Sequence, residues 1–460
     1  MRVGTIRASE LADGLRFTGG YHLSEDQESL RQLSVLRKSS VPVSSVVGPR
    51  GVFKGGLFRK IEAQSPEHGR PYVSAKDIER LVVRPSSRIS TAHGRLLDEL
   101  ALHEGMTLVT CSGMNLGKAV FVRRDMSGLC ASGDLIRVVA DESRIRPGYL
   151  GAFLATRHAR VAIRRQIYGG NIKHVDPSHV GSVLVPRFTD EQESRVNSLL
   201  MNSASKRSDA MDLIHNARSL ATRELSLPTA SSEGATDYCA FDVPSRLLSR
   251  LDAYHHSPRL QEASTALGQT ADSRRLADVA NVFTPGIFKR PHVDDPAHGY
   301  PYFSGSELFH LNPQPRGYLS RYAPGIREYV VESDWLLVQD AGQVGGLIGQ
   351  IVRVGPQTNG GAVSNHLMRI VAESRLDAAY LFALLTCQLG YLAIVRNAFG
   401  SSIPQLDPVQ VGNMSIPWPA ESVRSSVADL ILRAWDLQDS AAQMNLEAVA
   451  LVEQLIEEAS

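Results

Sequence analysis

Apolar residues fall on a helical period in two long stretches of the chain. Val427, Leu430, Ala434, Leu437, Ala441, Met444, Ala448, Leu451 and Leu455 follow strict alternation of three and four over four heptads. That spacing places one apolar stripe down a helix and predicts a coiled-coil seam over 421–460. A rougher version, residues 189–227, carries Val196, Leu200, Ala204, Met211, Ile214 and Ala217, and Lys206 and Arg207 interrupt it. A helix of about 38 residues is roughly 57 Å long. The small residues Ala434, Ala441 and Ala448 permit a close partner. Spacing alone leaves open whether the two helices pair as an antiparallel coiled coil or pack each on its own domain. Elsewhere, short β-type runs at 107–111, 119–123, 335–339 and 347–354 are punctuated by Gly and Pro. Helical patterns at 149–167 and 378–396 intervene, so the fold class is α+β.

The same elements occur twice. His68-Gly69-Arg70-Pro71-Tyr72-Val73-Ser74 returns as His298-Gly299-Tyr300-Pro301-Tyr302-Phe303-Ser304, and Gly56-Leu57-Phe58-Arg59-Lys60 as Gly286-Ile287-Phe288-Lys289-Arg290. Tyr149-Leu150 matches Tyr380-Leu381. Further on, Tyr168-Gly169, Ile172, Asp176-Pro177, Val180-Gly181 and Pro186 match Phe399-Gly400, Ile403, Asp407-Pro408, Val411-Gly412 and Pro417. Gly20-Tyr21-His22 is echoed by Ala253-Tyr254-His255. Two long copies mean a duplicated domain, not a solenoid. The predicted organisation is a first domain at 1–188, a helix at 189–227, a linker rich in Ser, Thr and Ala at 228–245, a second domain at 246–420 and a helix at 421–460.

Charge then separates the copies. Residues 1–228 hold 33 Lys and Arg against 23 Asp and Glu, whereas 229–460 hold 16 against 25. The last 40 residues carry eight of those acids and two Arg, so the second domain itself is only mildly acidic. A basic first half suits a polyanion, although dispersed charge also serves solubility. Hydrophobic content of 43% is that of a globular chain. No stretch has the apolar length of a membrane span, and the first residues lack a signal-peptide core, which points to the cytoplasm. Cys111, Cys130, Cys239 and Cys387 show no CxxC or Cys/His metal spacing, so no disulfide and no metal site is expected.

Enzymatic signatures are missing. There is no Walker A, GxSxG or HExxH, and the Gly342–Gly349 stretch precedes a strand-like run where a dinucleotide loop would precede a helix. No cofactor and no catalytic residue is expected. His68 and His298 invite a paired role, yet a turn position shared through duplication explains them more simply. Binding residues are more coherent. Arg50, Lys54, Arg59 and Lys60 surround glycines in an expected loop, where cations and bare backbone can meet phosphates. Arg157, Arg160 and Arg164 would lie on one helix face beside a glycine-bearing loop holding Asn171, Lys173 and His174. The second copy offers Lys289, Arg290, Gln343, Arg396, Ser401, Ser402 and Gln405, with amides and hydroxyls for base edges. The helix interface is expected at Val427, Leu430, Leu437, Met444, Leu451 and Leu455.

In this order, twice over, the motifs resemble the specificity subunits of type I restriction–modification systems. The resemblance rests on Pro71-Tyr72-Val73-Ser74 with Asp77, on Pro301-Tyr302-Phe303-Ser304 with Glu307, on the Tyr-Leu pairs, on the Ile…Asp-Pro segments and on the terminal helices. It implies two target recognition domains that each read half of a bipartite site in double-stranded DNA, and two helices pairing antiparallel as a spacer. It also implies that DNA methyltransferase subunits and, in full systems, a translocating nuclease supply all catalysis. The helix start at Asp190-Glu191-Gln192-Glu193-Ser194-Arg195-Val196 only approximates the Gln-Lys-Arg-Ile of that family, and Glu421-Ser422-Val423-Arg424 is further away. Two other readings stay open. One is an assembly or adaptor subunit without base reading; the other is an enzyme, such as a divergent nuclease, whose motifs are unfamiliar.

Overall fold

Alternating strands and one-turn helices follow closely on the Gly- and Pro-marked breaks. The computed structural model describes residues 27–460 except 57, 64, 86, 114, 168–172, 230–241, 243, 246–249 and 271. It divides into two units, Met1–Ser208 with Ser440–Ser460, and Asp209–Asp439. The echo at Gly20-Tyr21-His22 and most of the expected linker lie outside the described residues, as does Cys239.

In the first unit the strands are β1 (Ser40–Pro42), β2 (Val47–Lys54), β3 (Gly69–Val73), β4 (Ser87–Ser90), β5 (Thr107–Thr110), β6 (Ala119–Phe121), β7 (Cys130–Ala131), β8 (Leu135–Ala140) and β9 (Leu184–Pro186). An antiparallel sheet has the order β2-β8-β5-β6, a second has β4-β3-β7 with β3 and β7 parallel, and β1 pairs with β9. The longer helices are α1 (Gln27–Val35), α2 (Pro147–Ala155), α3 (Arg157–Arg165) and the first half of α4 (Asp190–Glu224). Val109, Ile136, Val138, Tyr149, Phe153 and Ile163 form the core between large sheet and helices. Burying such a side chain contributes about 1.5–3 kcal/mol.

The second unit repeats this plan. Its strands are β10 (Ser273–Arg275), β11 (Ala280–Phe283), β12 (His292–Val293), β13 (Gly299–Phe303), β14 (Gly317–Ser320), β15 (Leu336–Gln339), β16 (Ile351–Arg353), β17 (Ala362–Val363), β18 (Leu367–Ala372) and β19 (Ser415–Pro417). The orders are β11-β18-β15-β16 and β12-β14-β13-β17, with β10 on β19; β12 is the added strand. Helices α5 (Pro258–Gly268), α6 (Arg375–Thr386), α7 (Gln388–Val395) and the first half of α8 (Glu421–Glu458) complete it.

The repeated motifs have local physical reasons. Ser74 and Asp77, like Ser304 and Glu307, are capping boxes that satisfy the first amides of a one-turn helix. Asp176-Pro177 and Asp407-Pro408 supply the N-cap and the N1 proline of another. The Tyr149 and Tyr380 hydroxyls, both buried, donate to the carbonyls of Pro186 and Pro417 and so tie α2 to β9 and α6 to β19. His68 and His298 are turn residues whose carbonyls accept from the amides of Thr91 and Arg321.

Three expectations need correction. The helices expected at 149–167 and 378–396 are each broken in two, because Thr156 Oγ1 and Cys387 Sγ cap new helices through Ala159 and Gly390. The second break bends the chain by 80°. Among the described residues no single helix is long and apolar enough to cross a membrane. The first long helix stops at Glu224, just before Ser226 turns left-handed at φ 49°. Finally, Arg207 does not interrupt the first seam: it belongs to it. Val196, Leu200, Ser203, Arg207, Ala210, Ile214, Ala217 and Ala221 are all buried on strict 4-3 spacing. On α8 Val427, Ala428, Ile431, Ala434, Trp435, Ala441, Ala448, Val452, Leu455 and Ile456 are buried, while Leu430, Leu437, Met444 and Leu451 are half-buried on its flank.

Within the first unit α4 and α8 run antiparallel. Ser203 Oγ donates to the Ala441 carbonyl at 2.6 Å, Arg195 meets Glu447 at 3.5 Å, and Val196 and Leu200 share a core with Ala448, Val452 and Ile456. Within the second unit, Ala210, Ile214, Ala217 and Ala221 share a core with Val427, Ile431, Ala434 and Trp435. The alanines are what allow this close approach.

Removing the Tyr380 hydroxyl leaves the Pro417 carbonyl buried without its donor. Tyr380→Phe is therefore expected to cost about 1–3 kcal/mol, read as a lower urea midpoint. An unchanged midpoint would remove this tie from the account.

Candidate nucleic-acid interface

In each unit the turn after the central strand of the large sheet is held against a second loop at the same corner. In the first, Val175 N–H donates to the Cys111 carbonyl at 3.0 Å, and Ser112 bridges His174. In the second, Leu406 N–H donates to the Asp340 carbonyl at 2.7 Å, and Ala341 bridges Gln405. The second corner is further closed by Gly342 N–H to Pro404 at 3.0 Å, by Gln343 Nε2 to the Ser402 carbonyl at 2.7 Å, and by reciprocal bonds between Phe399 and Gln405. Left-handed backbone at Gly345, Gly349 and Gly400 makes these turns possible. A Cβ on Gly349 would also collide with Val395, 2.7 Å away.

Behind each corner, where the two sheets meet, a cation lies over a tyrosine. Lys60 Nζ is 4.7 Å from the Tyr72 ring centre, and Arg290 Cζ is 5.5 Å from that of Tyr302. Arg290 also reaches Asn365 Oδ1 at 3.3 Å, and Phe288 stacks on Tyr329 at 3.6 Å. Deeper still are two fully buried arginines. Arg137 donates to the carbonyls of Ser132, Leu135, Leu100 and Ala131, and Arg369 to those of Ser364 and Leu367. Burial pulls both guanidinium pKa values down to about 10.

Equivalent positions differ in chemistry. In the first unit the Cys111 thiol is pushed up to about 11, first by burial and then by Asp134, and Ser112 donates to Asp134 at 3.2 Å. In the second, Asp340 and His366 occupy those places, with His366 Nδ1 3.5 Å from Asp340 Oδ1. Burial pushes the Asp340 carboxyl up to about 7, although Arg369 opposes the shift.

The expected binding residues divide accordingly. Lys173, Gln343, Ser401, Ser402 and Gln405 are exposed on the corner loops, with His174 half-buried beside them, whereas Asn171 lies outside the described residues. Arg50, Lys54, Arg59 and Lys60 do not share a loop. Arg50 and Lys54 are on β2, beside a bulge at Gly51 with φ 62°. Lys54 pairs with Asp176 at 2.9 Å and Lys60 with Glu62 at 2.7 Å. Arg50, Arg59 and Lys289 are exposed. The face of Arg157, Arg160 and Arg164 is divided too. Arg157 pairs with Glu457, and its amide donates to Glu453 at 2.7 Å. Arg160 is half-buried, its pKa lowered by burial and then by Arg164, and both side chains flank Gly117. Arg396 is not a loop cation: its guanidinium holds the His255 carbonyl at 3.1 Å and Gln261 at 2.6 Å.

Sequence reasoning missed Arg137, Arg369 and Asp340. The pair Leu135-Ile136-Arg137-Val138-Val139-Ala140 and Leu367-Met368-Arg369-Ile370-Val371-Ala372 carried the signal, an arginine inside an otherwise apolar strand at matching places. Among the described residues no group of His, Cys, Asp and Glu could hold a metal ion. Cys111, Cys130 and Cys387 are buried free thiols.

These features define a class: a tandem duplication of an α+β domain whose copies present matching corner loops and are each joined to a long helix. The chain is similar over 91% of its length to a type I restriction–modification system S subunit from M. genitalium, at 14% identity over 95% of that chain and a TM-score of 0.33. An HsdS subunit from Thermoanaerobacter tengcongensis gives 14%, 91% of this chain, 95% of that one, and 0.28. A structure described as the basis of complex assembly and conformational transition of the type I R-M system gives 16%, 91%, 96% and 0.27. No family model matches the sequence, and no curated relative matches it.

The raised Asp340 pKa fixes the sign of a pH effect. Unfolded, this carboxyl loses its proton near pH 4; folded, near pH 7, so its burial weakens the fold progressively as pH rises between those values. Asp340→Asn is expected to raise the urea midpoint at pH 8 and to leave it unchanged at pH 3.5. A larger gain in acid would contradict the assignment.

Proposed function

We propose that this chain is a non-catalytic DNA-specificity subunit, in which each repeated domain reads half of a bipartite duplex site for partner methyltransferase subunits and, in a full system, a translocating nuclease. The observation that carries this reading is the duplication itself: the same two-loop corner, backed by the same cation-over-tyrosine step, occurs in both copies with different loop chemistry. Two scaffolds of one shape with different reading edges suit two different half-sites. The resemblance of the ordered motifs to type I specificity subunits supports it, and so does the basic first half.

In this reading the domains span 1–188 and 246–420, and the helices Asp190–Glu224 and Glu421–Glu458 pair as an antiparallel spacer. Arg50, Arg59, Lys173 and Lys289 set phosphate register, while Gln343, Ser401, Ser402 and Gln405 face base edges. Lys54, Lys60, Arg157, Arg160 and Arg396 hold the scaffold. The acidic balance of the second half favours a second reading, an assembly or adaptor subunit whose second copy does not touch DNA.

Selection from randomised duplex DNA by the complex with its methyltransferase partner tests the proposal. The expected result is a bipartite motif, with Arg59→Ala and Lys173→Ala each weakening binding severalfold on all sequences and lowering the salt slope by about one. Enrichment of a single undivided motif would leave the adaptor reading, and no enrichment would overturn DNA reading altogether.

A further inference from the structure

The corner loops of the second unit are bonded to one another and uncharged, and they expose apolar side chains. Residues 341–350 and 399–406 contain no Asp, Glu, Lys or Arg. The neighbouring charges are engaged: Asp340 is buried, Arg396 is bound to His255 and Gln261, Arg250 holds the Ala398 carbonyl and pairs with Asp252, and the Asp407 carboxylate caps a helix through Gln410. On these loops Ile403 is 64% exposed, Phe399 42% and Val344 41%. The Gly342–Pro404, Gln343–Ser402 and Phe399–Gln405 bonds hold the loops that carry them. Apolar side chains exposed on a closed loop mark a contact surface.

Equivalence with the first copy indicates what the contact is. There the corresponding loops carry Lys118 and Lys173, with His174 where the second copy has Gln405. Lys118 is paired with Glu79 at 2.7 Å, whereas Lys173 is exposed and able to meet a phosphate. The loops of the second corner carry no such cation, and the nearest exposed ones, Lys289 and Arg290, lie behind it. What it does offer is three exposed apolar side chains on loops that also carry the amides of Gln343 and Gln405 and the hydroxyls of Ser401 and Ser402. In the major groove an apolar side chain recognises the thymine 5-methyl group, and Gln pairs with adenine N6 and N7.

We infer that the second unit reads an A·T-containing half-site through thymine methyl groups packed against Ile403, Phe399 and Val344. This rests on the DNA-reading proposal above and adds to it the base class and the mode of contact. Phosphate attraction then comes from Arg50, Arg59 and Lys173 in the first unit and from Lys289 in the second, and the second corner itself contributes a term that salt barely alters.

The test replaces thymine by deoxyuridine, which deletes only the methyl group, in the duplex selected by the full complex. Each contacted methyl is expected to account for about a fourfold change in affinity. Exchange throughout the second half-site should therefore weaken binding more than tenfold, and exchange in the first half-site less than twofold. Ile403→Ser, at an exposed position, should abolish part of the deoxyuridine effect in the second half-site without changing the salt slope. A bipartite site whose second half tolerates deoxyuridine, or lacks A·T pairs, overturns this inference and leaves the DNA-reading proposal intact. Loss of the protein partner from Ile403→Ser with DNA affinity unchanged also overturns it and makes the corner a protein contact. Selection that yields no site overturns both, and is recognised before any thymine is exchanged.

Discussion

An arginine that can neither lose its charge readily nor reach water calls for fixed acceptors, and one such residue sits on an inner strand of each large sheet. Arg137 and Arg369 are fully buried, on β8 and β18, and they turn their guanidinium groups onto backbone carbonyls. In the first unit those acceptors include Ala131 on β7 and Leu100, so one side chain joins the two sheets and the loop between them. The Lys60–Tyr72 and Arg290–Tyr302 steps and the corner loops are built on that junction. A neutral residue would take the side-chain donor from four carbonyls at position 137 and from two at position 369, at about 1–3 kcal/mol for each one left unmet. The junction is thus fixed by unmet hydrogen bonding as much as by apolar packing.

Much of the architecture was legible because its signals are periodic or repeated. Seven-residue recurrence marked both long helices, and the repeated Tyr, Ser and Asp-Pro positions marked buried ties and caps that any copy of this domain needs. What escaped depended on contacts made in space. Hydrophobic spacing gave the heptad positions on α8 through Ala434, Ala441 and Ala448, but assigned the alternate positions to Leu430, Leu437, Met444 and Leu451, where burial favours Ile431 and Val452. Arg207 looked like a break because a charged residue ordinarily avoids a seam. It is buried there near Arg123 and Asp125, and burial draws its pKa down to about 9. The helix breaks at Thr156 and Cys387 were hidden because capping residues also occur inside helices.

The candidate site was less legible than the fold. Arginine placement by sequence counted charges without their partners, and Glu457, Gln261 and Asp176 turn out to take up Arg157, Arg396 and Lys54. The uncharged loops at Gln343 and Ser401 were identified as polar edges, while the exposure of Ile403 and Phe399 on them could be known only from the loop closure. The corner loops differ inside a duplication: the first copy exposes Lys173 and the second Ile403 and Phe399 on the same scaffold, and it is on this asymmetry that the proposal of two unlike half-sites rests.

Hydroxyl-radical footprinting of the complex on its own selected DNA addresses the central claim most directly. The account predicts two separate protected stretches, one for each domain, with an accessible stretch between them that persists whatever its sequence. A single protected stretch, or two that shift together when only one half-site is mutated, would contradict the reading of two independent heads on one chain.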